Sequence, residues 1–167
     1  MSRKSPSLNP ASQLTCRPLR PADPTDNATP SGWAAAAGVL LTYSALTNSV
    51  SHRERAERAL APLVALGAEH PRFAGWGLAV LTAWLDGPRE VALVGPDSDP
   101  RTTHLWRAIL TSGRPGLVHV RGEQASDEPL LRDRVAINGA PTAYVCRGFV
   151  CNAPTQDLED LVQQLNS

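Results

Sequence analysis

GPREVALVGPDSDPRTTHLWRAILTSGRPGLVHV, residues 87–120, decides how this chain folds. Gly87-Pro88 ends the helical periodicity that precedes it, and residues 90–94 form a short β-type run closed by Gly95-Pro96. Asp99 followed by Pro100 is an N-cap with proline at the first helical position. The helix it opens carries Leu105, Trp106, Ile109 and Leu110. Gly116 precedes a second β-type run at 117–120. Strand, helix, strand at this spacing predicts a βαβ unit with parallel strands.

Working outward toward the end of the chain, a polar loop leads to an apolar run at 143–146. A two-residue Arg147-Gly148 turn and a second run at 149–152 predict a hairpin. Thr155 then caps a last helix with Leu158, Leu161, Val162 and Leu165 on one stripe.

Upstream, Thr29 and Pro30 are an N-cap and a first-turn proline for a helix reaching about Thr47, with Ala35, Val39, Tyr43 and Leu46 on one face. Ala34 to Ala37 and Gly38 leave its backbone nearly bare for a close neighbour. Ser51-His52-Arg53-Glu54 has the capping-box pattern. The helix it predicts has Ala56, Ala59, Leu60 and Leu63 inward, an Arg53–Glu57 pair, a bend at Pro62 and a C-cap at Gly67. A third helix after Pro71 carries Phe73, Trp76, Leu78, Val80, Leu81, Trp84 and Leu85, apolar on most of its circumference. Two partner helices cannot cover it fully, so Trp76 or Trp84 is expected to be partly exposed. Residues 1–22, with four prolines among polar residues, read as disordered.

Composition narrows the function classes. Hydrophobic residues make up 42% of the 167, enough for a packed core. Lysine plus arginine and aspartate plus glutamate each count 16, so charge gives no reason to expect a nucleic-acid or membrane partner. No apolar run spans a bilayer, and the first residues lack the apolar segment of a signal peptide. Three cysteines, Cys16, Cys146 and Cys151, point to a reducing, cytoplasmic setting rather than a disulfide scaffold. The four histidines have no second ligand at zinc-like spacing, and no metal or cofactor is expected.

Two local constellations have a functional reading. Cys146 and Cys151 form a candidate redox pair. With the turn at Arg147-Gly148 they sit diagonally across the hairpin, with Cα atoms roughly 6–8 Å apart, which favours two free, packed thiols. Asp26, Asn27 and Ser31 gather a carboxylate, an amide and a hydroxyl at a helix start, either as capping and turn residues or as a polar binding loop. The loop at 95–100 lacks the glycines of a dinucleotide site and carries two aspartates, which would repel phosphate, so nucleotide binding is not expected there. No catalytic residue can be assigned from the sequence.

Three stretches together, DNATPSG (26–32), GPREVALVG (87–95) and NGAPTAYVCRGFVCNAP (138–154), resemble the C-terminal end of the large thioredoxin-domain-containing proteins of the spermatogenesis-associated type. The likeness covers roughly residues 17–165. It implies a longer chain: a thioredoxin-like domain, an α/α barrel of the six-hairpin glycosidase kind, and a short α/β tail. On that basis the expected fold is mixed α/β. Residues 23–87 would be the last helices of an α/α barrel, and residues 88–167 a small α/β unit. The implied state is a fragment inactive alone, whose partner is the missing barrel portion or a second copy meeting the exposed helical face. The alternatives are carbohydrate binding or a glycosidase- or epimerase-like activity in the whole barrel, with the 26–32 loop at its mouth, and a thiol-redox role. Gly139-Ala140-Pro141-Thr142 followed by strand, turn, strand and helix also resembles the end of a thioredoxin fold, which implies a cis Ala140–Pro141 bond.

Overall fold

The computed structural model describes residues 23–148 and 150–167. The expected disorder at 1–22, Cys16 and Phe149 lie outside the described residues. Three helices lead: α1 (Gly32–Thr47), α2 (Val50–Glu69) and, after a 3-10 turn at Pro71–Phe73, α3 (Gly75–Asp86). Then come β1 (Arg89–Val94), α4 (Pro100–Thr111), β2 (Leu117–Gly122), a 3-10 turn at Ile137–Gly139, β3 (Thr142–Arg147), β4 (Val150–Cys151) and α5 (Leu158–Asn166). The fold is mixed α/β. No helix among the described residues is long and apolar enough to cross a membrane.

The four strands form one sheet in the order β2-β1-β3-β4. β1 pairs parallel with β2, as the spacing predicts, and antiparallel with β3. Every residue of β1 is buried, because both faces of this central strand are covered. On one face, Val91 and Leu93 pack with Leu105 and Ile109 of α4, Ala143 and Val145 of β3, and Leu161 and Leu165 of α5. On the other, Ala92 and Val94 meet Leu131 and Tyr144, while Ala45 of α1 reaches Val118 and Leu130. The last turn of α1 therefore rests on the sheet. Gly95 closes β1 against Pro141. A Cβ there would lie 2.8 Å from the Pro141 Cα.

α4 begins as the sequence predicts: Asp99 is its N-cap and accepts the Arg101 amide, with Pro100 in the first turn. Other caps differ. Ser31, not Thr29, caps α1 by accepting the Ala34 amide. α2 starts at Val50 and takes Ser51 inside, so the capping box is not formed. Gly67 lies within α2, which continues past both Pro62 and Gly67 to Glu69. Gly67 serves instead as a gap: a Cβ there would strike Leu78 of α3 at 2.8 Å. Thr155 does not cap α5. It pairs with Ala143 as an extra sheet bridge, and Asp157 caps the helix by accepting the Asp160 amide.

The C-terminal end of α5 meets three arginines. Arg89 and Arg147 donate to the Ser167 carbonyl, and Arg114 to that of Asn166. Cations belong there, since the last carbonyls of a helix carry partial negative charge. Arg89 is 4% exposed. Burial draws its pKa below the usual arginine value, as do Arg147 and Arg114, while Asp86 opposes the shift.

The sequence-based inward face of α2 is confirmed, since Ala56, Ala59, Leu60 and Leu63 are all buried. In α1 the bare run does meet close neighbours: the helix buries Ala34, Ala37, Leu41, Ser44 and Ala45, while Ala35, Val39 and Tyr43 are exposed. Small side chains win the interior because α2 and α3 both press on the same side of α1. Ala140–Pro141 is trans, since no cis bond occurs among the described residues. The thioredoxin-like reading expects the opposite. Strand, turn, strand and helix do follow Pro141 in the expected order.

Candidate functional site

Asp26 is positioned by the chain on both sides of it. Its amide donates to the Phe73 carbonyl at 2.6 Å. One carboxylate oxygen accepts the Ser31 amide at 2.7 Å, and the other accepts the Trp76 and Gly77 amides at 2.8 and 3.2 Å. Those two amides belong to the first turn of α3, whose N–H groups have no helical partner. Asp26 is therefore a staple between the loop before α1 and the start of α3. Burial raises its pKa, but the backbone N–H groups of Ser31, Gly77 and Trp76 and the Ser31 side chain outweigh that, and the carboxyl titrates below its ordinary value. Ser31 is buried and occupied as the α1 cap, while Asn27 is exposed.

Beside this staple the outward stripe of α1 meets α3. Val39 is 69% exposed, Tyr43 49% and Trp76 58%. Together with Pro30, Ala35, Gly38, Thr42 and Leu46 they line an open groove of about 490 Å³. Among the described residues no charged side chain lines it. The exposed tryptophan expected from the third helix is Trp76, and Trp84 is half-buried against α1 and α2.

The hairpin departs from the diagonal arrangement expected of it. Cys146 pairs directly with Cys151, and Arg147 with Val150. Arg147 is thus the last residue of β3 and the turn begins at Gly148, one position later than the sequence reading put it. Gly148 occupies its first position at φ +56°, the left-handed backbone this kind of hairpin loop requires. This one-residue shift brings the two cysteines face to face, and they are joined by a disulfide rather than left as free thiols.

Two residues that the sequence analysis did not single out complete this region. Arg134, from the loop between β2 and β3, places one guanidinium nitrogen 3.0 Å from Cys146 Sγ and 3.3 Å from Cys151 Sγ. Another of its nitrogens donates to the Leu130 carbonyl, and the Tyr144 ring lies 5.5 Å from its centre. Glu90 stands opposite Cys146 in the β1–β3 register and is 1% exposed. Burial draws the Arg134 pKa below the usual arginine value, and Glu90 and Tyr144 oppose the shift. Glu90 was legible in principle, as a charged residue at the start of an otherwise apolar strand. Arg134 lies 12 residues before Cys146 in a polar loop, and nothing local marks it.

The loop at 95–100 uses its acids internally: Asp97 pairs with Arg121, and Asp99 caps α4. Among the described residues no group of three His, Cys, Asp or Glu side chains is placed to hold a metal ion. Compared with known proteins, the chain matches no family model, no curated protein and no solved structure.

Proposed function

We infer that this chain is an interaction element of a larger helical assembly, inactive alone, and that its α1–α3 groove receives a helix from the rest of an α/α barrel of the thioredoxin-domain-containing kind. The observation that carries the reading is the outward stripe of α1. Ala35, Val39, Tyr43 and Leu46 repeat at helical spacing and join Trp76 in one uncharged groove. Ala35 leaves room for a docked helix to come close, and the large side chains around it supply apolar area at the rim. A helix docked there removes that surface from water.

The barrel-mouth sugar site draws less support. Asp26 accepts three backbone N–H groups and is committed to joining two helices.

The test uses the purified chain, its Val39→Lys variant, light scattering and a hydrophobic dye. Wild type is expected to bind the dye as a monomer, with Val39→Lys lowering that binding severalfold at unchanged melting temperature. A concentration-dependent dimer abolished by Val39→Lys would assign the same face to a second copy. A monodisperse monomer that binds no dye refutes a docking role.

A further inference from the structure

The hairpin carries chemistry that the α1–α3 face does not need. We propose that Cys146 and Cys151 form a thiol–disulfide exchange pair, reduced by a dithiol, in which Arg134 holds the departing Cys146 thiolate. The sulfurs of a disulfide are neutral and weak acceptors. A guanidinium 3.0 and 3.3 Å from them gains little in the oxidised state. Once the bond opens, the same contact becomes a charge-assisted hydrogen bond to a thiolate, roughly twice as strong as a neutral one. The arrangement therefore stabilises the reduced state more than the oxidised one.

The guanidinium is already fixed for this task. The Leu130 carbonyl holds one side of it and the Tyr144 ring lies against it. Glu90, opposite Cys146 in the β1–β3 register, acts on the guanidinium against the effect of burial. No reorganisation is then required at the moment the thiolate forms.

The two sulfurs are unequal. Cys146 is 2% exposed, while Cys151 lies on the exposed two-residue edge strand β4. An incoming thiolate therefore attacks Cys151 Sγ. A new S–S bond forms between the reductant and Cys151, the Cys146–Cys151 bond breaks, and Cys146 Sγ leaves with the electron pair beside Arg134. The second thiolate of the dithiol then attacks the reductant sulfur bonded to Cys151. The reductant closes into its own disulfide, and Cys151 is released as a thiolate that takes a proton from water. Two electrons pass from the dithiol to the protein. In the reverse direction the chain reduces a disulfide substrate.

The experiment equilibrates the full chain with dithiothreitol or glutathione redox buffers. Thiols are alkylated on quenching, and the two cysteines are resolved by peptide mass spectrometry. Native protein is expected to be reduced by dithiothreitol without denaturant. Brief exposure to glutathione should trap the mixed disulfide on Cys151 with Cys146 alkylated. Arg134→Gln is expected to shift the equilibrium about tenfold toward the disulfide, and Arg134→Lys to retain most of the wild-type value. Circular dichroism establishes that each variant is folded. Should Arg134→Gln not fold, the Arg134→Lys equilibrium and the wild-type trapping pattern decide. The proposal is overturned by reduction that occurs only in denaturant, by glutathione on Cys146, or by an equilibrium unchanged within about twofold in folded Arg134→Gln.

Discussion

Replacing Gly95 by alanine adds one methyl group where β1 ends, and the surroundings leave no space for it. The new Cβ would stand 2.8 Å from both the Cα and the Cβ of Pro141 and 3.1 Å from the Thr102 hydroxyl. The carbon contacts fall at least ~0.7 Å inside the optimal separation. Neither neighbour can swing away. Pro141 is buried and its ring has no rotamer to change, and the Thr102 hydroxyl is committed to the Pro96 carbonyl at 2.8 Å. Gly95 itself donates to the Gly122 carbonyl at 3.0 Å, which anchors the backbone from the other side. Overpacking of this kind costs about 1–3 kcal/mol, and losing the Thr102 hydrogen bond adds about 1 kcal/mol. The stiffer unfolded chain returns about 0.4–1 kcal/mol. A net loss of about 2 kcal/mol is expected, or roughly 4–8 °C in melting temperature for a chain of this size. Gly32→Ala is the control. Among the described residues a Cβ at Gly32 meets nothing within 4 Å, so only the unfolded-state gain remains. Urea denaturation followed by circular dichroism measures both, as midpoints at constant slope. If Gly95→Ala matches Gly32→Ala, Pro141 does not lie against β1 and the placement of β3 described here is wrong.

Asp26→Asn should cost about 1 kcal/mol, the usual value of a helix cap. Because the folded carboxyl titrates below its ordinary value, that contribution is fully present above the unfolded pKa of about 4 and is lost as pH falls through the lower folded value. The difference in urea midpoint between Asp26→Asn and wild type should therefore be constant from about pH 5 to 7 and shrink below about pH 4. In α5, Leu161→Ala removes a fully buried side chain from the core and is expected to cost about 2–5 kcal/mol by urea denaturation. Leu158→Ala, at an exposed position of the same stripe, should stay within about 1 kcal/mol. Equal losses at the two positions would mean that α5 docks through a different face.

Much of the α/β part was legible because its signals are local. Asp99-Pro100 marks a helix start whatever lies around it, and the apolar runs on either side then have one sensible pairing. In α1 the bare run at Ala34 to Ala37 marked where a neighbour comes close, but the burial of Leu41, Ser44 and Ala45 one and two turns later depends on α3 and the sheet, which no local pattern encodes. The hairpin register turned on one residue. A turn at Arg147-Gly148 and one that begins at Gly148 are both acceptable locally, and the pairing of Arg147 with Arg89 and Val150 accompanies only the second. The role of Asp26 rests on amides 50 and 51 residues away, a relation that no local pattern encodes. The same holds for Arg134, whose place over the two sulfurs depends on the path of a long loop.

The position of β1 at the centre of the sheet has a consequence during synthesis. Both partners of β1 lie later in the chain: β2 begins at Leu117 and β3 at Thr142. As the polypeptide emerges from the ribosome, α1 to α3 can assemble from near neighbours in sequence. β1, buried along its whole length in the finished sheet, then waits with both edges unpaired until β2 appears and with one edge open until β3 does, about fifty residues after β1 ends and a few seconds at ordinary elongation rates. Arg89 and Glu90 stand at the head of that strand, where charge discourages premature pairing with another nascent chain. Chains stopped before β3 would keep that edge open permanently, so translation pausing between residues 95 and 142 is the interval in which this protein is most exposed to aggregation.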